Sequence, residues 1–191
     1  MTQSAGVQCP TNALDTKTDG IDIVGNYRIL SGAGRWDFAL AFNFAKNKIT
    51  RVDPLPSILQ GTATIYTDAL DIVTVNAIER NRPDRRSSFT SNYSLGRFHA
   101  MARASDYGSF RDGSSDGLED FGAKVLFDAE FGYRFNAVNI SFGARNLMNT
   151  YPDEVKVADN TNNGTFIYPG ASPFGYNGRF VYVRSEILLN R

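Results

Sequence analysis

The residues of this chain that could perform chemistry are few, and His99 comes first because it is the only histidine. It stands beside Arg97 and Arg103 on the polar side of an alternating segment, where an imidazole could serve as a general base. The serines have no base near them in the sequence, and no glycine-rich phosphate loop occurs. We therefore interpret His99 as a polar residue of a strand face, and the sequence predicts no catalytic site.

Acidic residues form a second candidate group, in the stretch 108–120. The carboxylates of Asp112, Asp116, Glu119 and Asp120 are close enough in sequence to bind calcium through oxygen ligands. The EF-hand pattern is absent, so a solvated acidic loop is favoured over a metal site. No metal and no cofactor are predicted.

Arginines form a third group, at Arg82, Arg85 and Arg86. Their guanidinium groups could bind an anionic ligand, and the alternative is a solvated start of a strand. The chain as a whole is neutral, with 20 basic and 20 acidic residues, which argues against a nucleic-acid partner. For the single cysteine, Cys9, an incidental thiol is favoured over pairing with a cysteine outside the given sequence.

Seven segments alternate apolar and polar residues with the period of two that is typical of β-strands. We place them at 18–29, 36–45, 86–95, 97–107, 121–135, 138–148 and 178–189. The apolar side of 36–45 consists only of Trp, Phe and Leu, whereas a soluble core usually buries a mixture. Most segments exceed the mode of about 5–6 residues for soluble strands and reach the roughly 9–11 of a tilted membrane strand.

The connections between these segments alternate in length. Short ones fall near 31–34, 95–97 and 135–137, and long ones at roughly 49–85, 108–120 and 149–177. Short periplasmic turns and long external loops are typical of outer-membrane barrels. The predicted fold is therefore all-β, an antiparallel transmembrane β-barrel segment of about seven long strands. Two alternatives remain: a soluble small-ligand-binding β-barrel or sandwich with its aromatic faces inside, and a small autonomous outer-membrane barrel with an eighth strand in 1–17 or 155–168.

The first long connection contains an element of its own, at 68–80. Acidic residues at its start and Arg80 at its end favour a short helix. Its β-branched residues keep a strand as the alternative.

The number of alternating segments is odd, so the first and the last run toward the same end. An odd antiparallel set cannot close edge to edge in the even-numbered bacterial pattern, and open edges in lipid leave backbone groups unpaired. The sequence therefore predicts part of a barrel, with 1–17 as the remnant of an external loop and 18–189 as strands and loops.

Motifs in three places resemble the TonB-dependent receptors of the outer membrane. The stretch 142–152, FGARNLMNTYP, resembles that family's penultimate strand, which ends in N-L-F-N-x-x-P. The stretch 172–183, SPFGYNGRFVYV, resembles the entry to its final strand, and 18–22, TDGID, matches an opening found earlier in such barrels. One departure concerns assembly, because the usual terminal aromatic residue is replaced by Leu189, and weaker insertion is expected.

The resemblance implies a barrel of about 22 strands around a plug, of which this chain would supply roughly the last seven. It implies energised uptake of a scarce ligand, such as a siderophore, cobalamin or an oligosaccharide, and no enzymatic reaction. The plug domain, the remaining strands and, through them, the inner-membrane TonB complex are the implied partners.

The implied location is the Gram-negative outer membrane, whose lipid and lipopolysaccharide would surround the chain. The arginine patch could then attract lipopolysaccharide phosphate. Ligand contacts are expected in the long external loops, and the residues that offer aromatic or cationic surface there are Tyr151, Tyr168, Phe174, Tyr176, Arg82 and Arg85.

Overall fold

The computed structural model describes residues 14–53, 71–114, 117–156 and 166–187. Seven strands form one antiparallel sheet in the order β1-β2-β3-β4-β7-β8-β9, and β5 and β6 form a separate hairpin. The elements are β1 (Leu14–Ser31), β2 (Gly34–Val52), α1 (Ile72–Glu79), β3 (Arg85–Leu95), β4 (Phe98–Tyr107), β5 (Phe110–Ser114), β6 (Gly117–Phe121), β7 (Lys124–Phe135), β8 (Val138–Arg145) and β9 (Phe180–Ile187). The predicted all-β class and the count of about seven long strands are confirmed.

The sheet has two unlike ends, as the connection lengths predicted. At one, which we call the turn end, two-residue turns join β1 to β2, β3 to β4 and β7 to β8. Gly32 and Gly96, each with a φ of 58°, and Asn136, with a φ of 50°, supply the left-handed backbone that such turns need. All long connections lie at the opposite end, which we call the loop end, and β1 and β9 both run toward the turn end.

The register keeps the predicted apolar side chains on one face across the whole sheet, because each pairs with its counterpart on the next strand. Phe38 faces Tyr27 on β1, and Phe131 faces Phe142 on β8. The rings of Phe131 and Phe142 stack with centroids 5.6 Å apart. We call this surface the apolar face and the opposite one the polar face.

The apolar face is not a core. Phe131 is 57% and Val183 65% exposed, whereas Phe110 and Phe121, in the hairpin, are the only large hydrophobic side chains that are buried within the described ranges. A soluble barrel or sandwich would have turned this face inward, because burial of apolar area drives its folding. The exposed apolar face therefore favours the membrane-barrel prediction over the soluble alternative.

The sheet is open in the described residues, since β1 pairs only with β2 and β9 only with β8. The small autonomous barrel requires an eighth strand in 1–17 or 155–168. Residues 14–17 belong to β1, and 1–13 and 157–165 lie outside the described residues.

Several strand boundaries differ from the sequence prediction, and β2 continues to Val52 where the prediction ended at residue 45. β1 begins at Leu14, within the predicted loop remnant. The predicted strand 121–135 is interrupted before Lys124, because Gly122 donates its N–H to Asp153 Oδ2 at 2.7 Å and leaves the ladder. Phe121 therefore belongs to the hairpin, where it is buried against Phe110 with ring centroids 5.2 Å apart.

The predicted strand 138–148 ends at Arg145 because Asn146 turns the chain with a φ of 50°. Its side chain closes the turn: Oδ1 accepts from Thr150 N at 2.8 Å, and Nδ2 donates to Thr150 O at 2.7 Å. Asn149, with a φ of 57°, accepts from Arg179 N at 2.9 Å. The two asparagines of the NLMN stretch thus shape the start and the return of the last connection. The final strand begins at Phe180, and 188–191 lie outside the described residues.

The element predicted at 68–80 is a helix in its described part, so the strand alternative is wrong there. Asp71 is its N-cap and accepts from Thr74 N at 2.7 Å. Hydrogen bonds from the Thr74 side chain and then from its backbone N–H lower the pKa of the Asp71 carboxyl. The helix spans eight residues, and Arg80 already lies beyond its last turn. No helix among the described residues is long and apolar enough to cross a membrane.

Candidate functional site

The three long connections meet at the loop end of the sheet, and Asp112 on β5 joins all of them. Its Oδ1 accepts from Asn81 Nδ2, which follows α1, at 3.2 Å, and its Oδ2 accepts from Ala171 N in the last connection at 2.9 Å. Asn76 on α1 donates through Nδ2 to Arg111 O at 2.9 Å. The hairpin is thereby fixed between α1 and the last connection.

Asp153 holds the start of the last connection to β7. It accepts from Lys124 Nζ at 2.5 Å and from Gly122 N at 2.7 Å, and the hydrogen bond from Lys124 is the largest cause of a lowered pKa at Asp153. Farther along, Lys156 contacts Glu119 of the hairpin through both its backbone N–H and its ammonium group. Charge pairs at the loop end therefore fix the described start of this connection.

Tyrosines of the last connection form one continuous stack. The rings of Tyr151 and Tyr168 lie 5.5 Å apart at 12°, and those of Tyr168 and Tyr176 lie 6.3 Å apart at 21°. Tyr176 is 53% exposed at the end of the stack. Rings arranged in this way offer a flat surface for a planar or sugar ligand.

A second aromatic group connects the last connection to the polar face. The guanidinium of Arg86 lies 5.0 Å from the ring centre of Tyr107, its cross-strand partner, and Tyr107 lies 5.4 Å from Phe174. A cation over a ring is stabilised by the ring's quadrupole. Arg86 is thus held at the loop end of the polar face.

Beside Arg86 lies a cavity of about 740 Å³. It is bounded by the polar faces of β1 to β3, by the C-terminal half of α1 and by Ala171 and Pro173 of the last connection. The polar groups that face it include Asn43, Asn47, Glu79, Arg82, Asp84 and Arg86. Its size suits a small-molecule ligand.

Below it, along the same wall, a cavity of about 490 Å³ continues toward the turn end. Asn43 and Arg86 line both cavities. Its polar groups include Ser88, Thr90 and Arg103, and Arg103 donates through Nε to Thr90 Oγ1 at 3.1 Å. The polar face of β2 to β4 is therefore an open polar groove that leads away from the loop end.

On the polar face of β7 to β9, by contrast, the side chains satisfy one another. Glu130, 9% exposed, accepts from Tyr182 Oη at 2.7 Å and from an Arg184 guanidinium nitrogen at 2.6 Å. Gly143 lies under the Tyr182 ring, where any Cβ would collide with it. This half of the polar face has no room for a ligand at the Tyr182 position.

Most of the chain carries the signature of one family. The model of the family described as "TonB dependent receptor-like, beta-barrel" matches residues 1–147. The chain belongs to this family.

Among solved structures, the chain resembles the siderophore receptor PiuA from Acinetobacter baumannii with a TM-score of 0.60 at 14% identity. The match covers 92% of this chain and 22% of that one, so the chain spans about a fifth of the length of the solved receptor. A search of curated protein sequences gives no significant match. The family and the barrel-type fold implied by the sequence motifs are confirmed.

For this TonB-dependent receptor barrel, the structure brings together the predicted aromatic candidates. Tyr151, Tyr168 and Tyr176 share one stack, and Phe174 contacts Tyr107. The predicted arginine patch is divided, because successive residues of a strand point to opposite faces. Arg86 lies on the polar face, while Arg85 pairs with Phe44 in the register and donates to Asp106 at 3.0 Å.

The acidic candidates separate from one another. Asp112 bonds to the neighbouring connections, Glu119 to Lys156, and Asp120 makes two hydrogen bonds to Arg111, at 2.6 and 2.8 Å, which lower its pKa. Asp116 lies outside the described residues. His99 contacts Ser141 at 3.1 Å on the polar face, and Ser141 is fully buried whereas His99 is half-buried, so the Ser141 hydroxyl is shielded from a substrate.

In the described residues, charged side chains of β7 have their partners outside β7: Lys124 pairs with Asp153, Glu130 with Arg184, and Asp128 accepts from Asn146 N at 2.8 Å. Sequence reasoning missed Tyr107, Asn43 and Asn47 as lining residues. The sequence did contain a signal for them: the alternation of each strand places these residues on the polar face, close to the loop end.

Proposed function

We propose that this chain is part of the barrel of an outer-membrane receptor that takes up a scarce ligand in an energised step and catalyses no reaction. The observation that carries the proposal is the contrast between the two faces of one sheet. The apolar face is exposed across all seven strands, which suits lipid, and the polar face opens into a cavity at the loop end. Members of the family are Gram-negative outer-membrane proteins, which supports this location.

The direction of the edge strands indicates which partner completes the sheet. Because β1 and β9 run toward the same end, they cannot pair with each other in an antiparallel barrel. A second copy of the chain in the same orientation cannot complete the barrel either, because its β1 would run parallel to β9 of the first copy. Closure requires an odd number of further antiparallel strands, and we propose that the remaining strands of the receptor supply them around a plug domain that engages the inner-membrane TonB complex.

We propose that the ligand enters at the loop end. The candidate contacts are the tyrosine stack of Tyr151, Tyr168 and Tyr176, followed by Arg82 and Arg86 in the 740 Å³ cavity. Phe174 supports Arg86 through Tyr107. Siderophores, cobalamin and oligosaccharides remain the candidate ligands, and the siderophore receptor in the structural comparison makes ferric siderophores the first to test.

Deletion of the gene that contains this chain tests the proposal in its host. Uptake of radiolabelled ferric siderophores, cobalamin and oligosaccharides is measured in the deletion strain and in a strain with the gene restored. We expect uptake of one of these ligands to fall to background, to return with the gene, and to stop when a protonophore removes the energy source. Unchanged uptake of all three classes would contradict the proposal.

Point variants then test the entry site. Arg86→Gln and Tyr107→Ala are expected to reduce uptake, whereas Arg97→Gln, which removes an exposed arginine from a turn at the opposite end, is expected to leave it unchanged. Equal uptake by all three variants would exclude the cavity as the ligand site.

A further inference from the structure

The two cavities of the polar face form one elongated groove, because Asn43 and Arg86 line both of them. The groove extends from Asn47 on β2 to Thr90 on β3, and the register partner of Thr90 on β2 is Ala39. A strand rises about 3.3 Å per residue, so the stretch of β2 from Asn47 to Ala39 is about 26 Å long. A linear oligomer can contact the whole of such a groove, whereas a compact ligand contacts only part of it.

Pairs of hydrogen-bonded side chains recur along this groove, and each pair joins two neighbouring strands. They are Thr18–Asn47 at 2.7 Å, Asn43–Asp22 at 2.6 Å and Arg103–Thr90 at 3.1 Å. Between the pairs, the polar face of β2 carries only the small side chains of Ala45 and Ala41. The floor of the groove therefore alternates fixed polar pairs with open spaces.

Each pair offers donors and acceptors side by side. Asp22 keeps its second carboxylate oxygen as an acceptor beside the amide of Asn43. Arg103 keeps its terminal guanidinium nitrogens as donors beside the Thr90 hydroxyl. A sugar hydroxyl is itself both a donor and an acceptor, so it can bond to both members of such a pair. A carboxylate or phosphate ligand only accepts, and it would leave the acceptors of these pairs unsatisfied.

The groove is close to electrically neutral. Three arginines and three carboxylates line it without a salt bridge in the described part of the chain. They are Arg82, Arg86, Arg103, Glu79, Asp84 and Asp22. A fourth carboxylate, that of Asp106, is paired with Arg85. A strongly charged ligand would place half of these groups against a like charge, whereas a neutral ligand meets no such repulsion.

The tyrosine stack adjoins the upper end of this groove. Ala171 and Pro173 line the upper cavity, and in the sequence they lie between Tyr168 and Tyr176, whose rings are 6.3 Å apart. Aromatic ring faces are apolar surfaces that can pack against the C–H face of a sugar ring. The mouth of the groove thus supplies the apolar contacts that its polar floor lacks.

We propose that this groove binds a neutral linear oligosaccharide. Its sugar units lie over Ala45 and Ala41, its hydroxyl groups bond to the three polar pairs, and the tyrosine stack receives the first unit. The inference rests on the proposed function and selects one of its three ligand classes.

Isothermal titration calorimetry tests the ligand class on the complete gene product that contains this chain, extracted in mild detergent. The probes are maltohexaose, cellohexaose and xylohexaose, with glucose and xylose as the corresponding single units. We expect one hexasaccharide to bind at least about tenfold more tightly than its single unit, because more of its hydroxyl groups reach polar pairs. Its affinity should be the same in about 0.1 M and about 1 M salt, since screening does not weaken the binding of a neutral ligand.

Two variants locate the site. Ala41→Phe, at an exposed position, fills an open space of the groove and is expected to weaken hexasaccharide binding at least about tenfold. Asn43→Ala removes one polar pair and should weaken it about threefold to tenfold. The matched control, Asn92→Ala, removes an exposed asparagine of the polar face that lines neither cavity, and its affinity should be unchanged. Urea titration checks that each variant is folded.

Any of the following results would overturn the proposal: no binding of any hexasaccharide, no advantage over the single unit, an affinity that depends on salt, unchanged binding in Ala41→Phe, or an equal loss in the Asn43 and Asn92 variants. The comparison of probes on the unmodified protein needs no variant, so it decides the question even if Ala41→Phe does not fold. In the uptake experiment of the proposed function, gene-dependent uptake of a ferric siderophore or of cobalamin would contradict only this inference. Gene-dependent uptake of none of the three classes would contradict the proposed function itself.

Discussion

The polar face of the sheet has two halves that use similar residues differently. In the half formed by β2 to β4, Arg86 and Arg103 border cavities, and Arg103 bonds only to a threonine hydroxyl among the described residues. In the half formed by β7 to β9, the Glu130 carboxylate accepts hydrogen bonds from the Tyr182 hydroxyl and from the Arg184 guanidinium. We refer to them as the open half and the filled half.

The difference shows that polarity on a strand face does not by itself indicate a binding surface. Glycines cause this difference. Gly132 and Gly143 have no side chain, and the rings of His99 and Tyr182 pack into the space above them. In the filled half the polar groups satisfy one another and stabilise the strand pairing. In the open half the same kinds of groups remain available to a ligand. Substitutions in the filled half should therefore affect stability, and those in the open half should affect binding.

The largest effect is expected from Glu130→Ala. The substitution removes both acceptors and leaves the Tyr182 hydroxyl and Arg184 without their partner. Because Arg184 is more than half exposed, water compensates part of the loss, and we expect a decrease of about 2–3 kcal/mol in the free energy of unfolding. Urea titration followed by heat-dependent gel mobility measures it. A decrease no larger than that of Arg86→Gln would remove the distinction between the two halves.

Gly143→Val is expected to have the next largest effect. Its side chain would occupy the position of the Tyr182 ring, and overpacking of this kind costs about 1–3 kcal/mol. The matched control is Gly25→Val, because a Cβ at Gly25 meets no atom within 4 Å. Equal stability of the two variants, in the same urea titration, would show that the Tyr182 ring does not exclude a larger side chain at position 143.

Asp112→Ala tests the junction of the three connections. It removes the acceptors for Asn81 and for the Ala171 backbone N–H, at a net cost of about 1 kcal/mol for each hydrogen bond. We expect faster amide hydrogen exchange at Ala171 and weaker ligand uptake, with little change in the sheet itself. Asp112→Asn keeps one acceptor oxygen, and its exchange rate at Ala171 should lie between those of the unmodified protein and Asp112→Ala. An unchanged exchange rate in Asp112→Ala would contradict the role of Asp112 as the junction of the connections.

Arg86→Gln tests the open half. Since Arg86 is exposed and its described contact is a ring, we expect a change in stability of less than about 0.5 kcal/mol, together with reduced uptake. Lys48→Gln, at an exposed position near the loop end of β2, provides the control for charge. A loss of stability similar to that of Glu130→Ala would assign Arg86 to the structural group instead.

The smallest effect concerns pH. The folded pKa of Asp153 lies below its usual value of 3.8, so its contribution to stability is complete above that value and is lost as the pH falls through the folded pKa. Asp153 is 45% exposed, and solvent screening keeps the contribution small. We expect the protection factor of the Gly122 amide to fall over that acidic range, and to be low at all pH values in Asp153→Ala, which has no side-chain acceptor. Protection that does not depend on pH would exclude the carboxylate as its cause.

The sequence by itself determined the strands, their two faces and the sorting of their connections. These properties are local: a period of two fixes which side chains share a face, and a tight turn needs Gly or Asn within two residues. The same local reasoning failed at Phe121 and at Arg85. It extended one strand past Gly122, whose amide bonds to Asp153, 31 residues away, and it grouped Arg85 with Arg86 although adjacent residues point to opposite faces.

Only the tertiary structure decided which polar groups meet. Asp112 and Ala171 are separated by 59 residues, and Glu130 and Arg184 by 54. Tyr151 and Tyr168 stack on each other although they are far apart in the sequence. Such contacts depend on strand order, register and the path of each connection, none of which is encoded in the period of a single strand. The sequence therefore determined that a polar face exists, and the tertiary structure decided which half of it is open to a ligand.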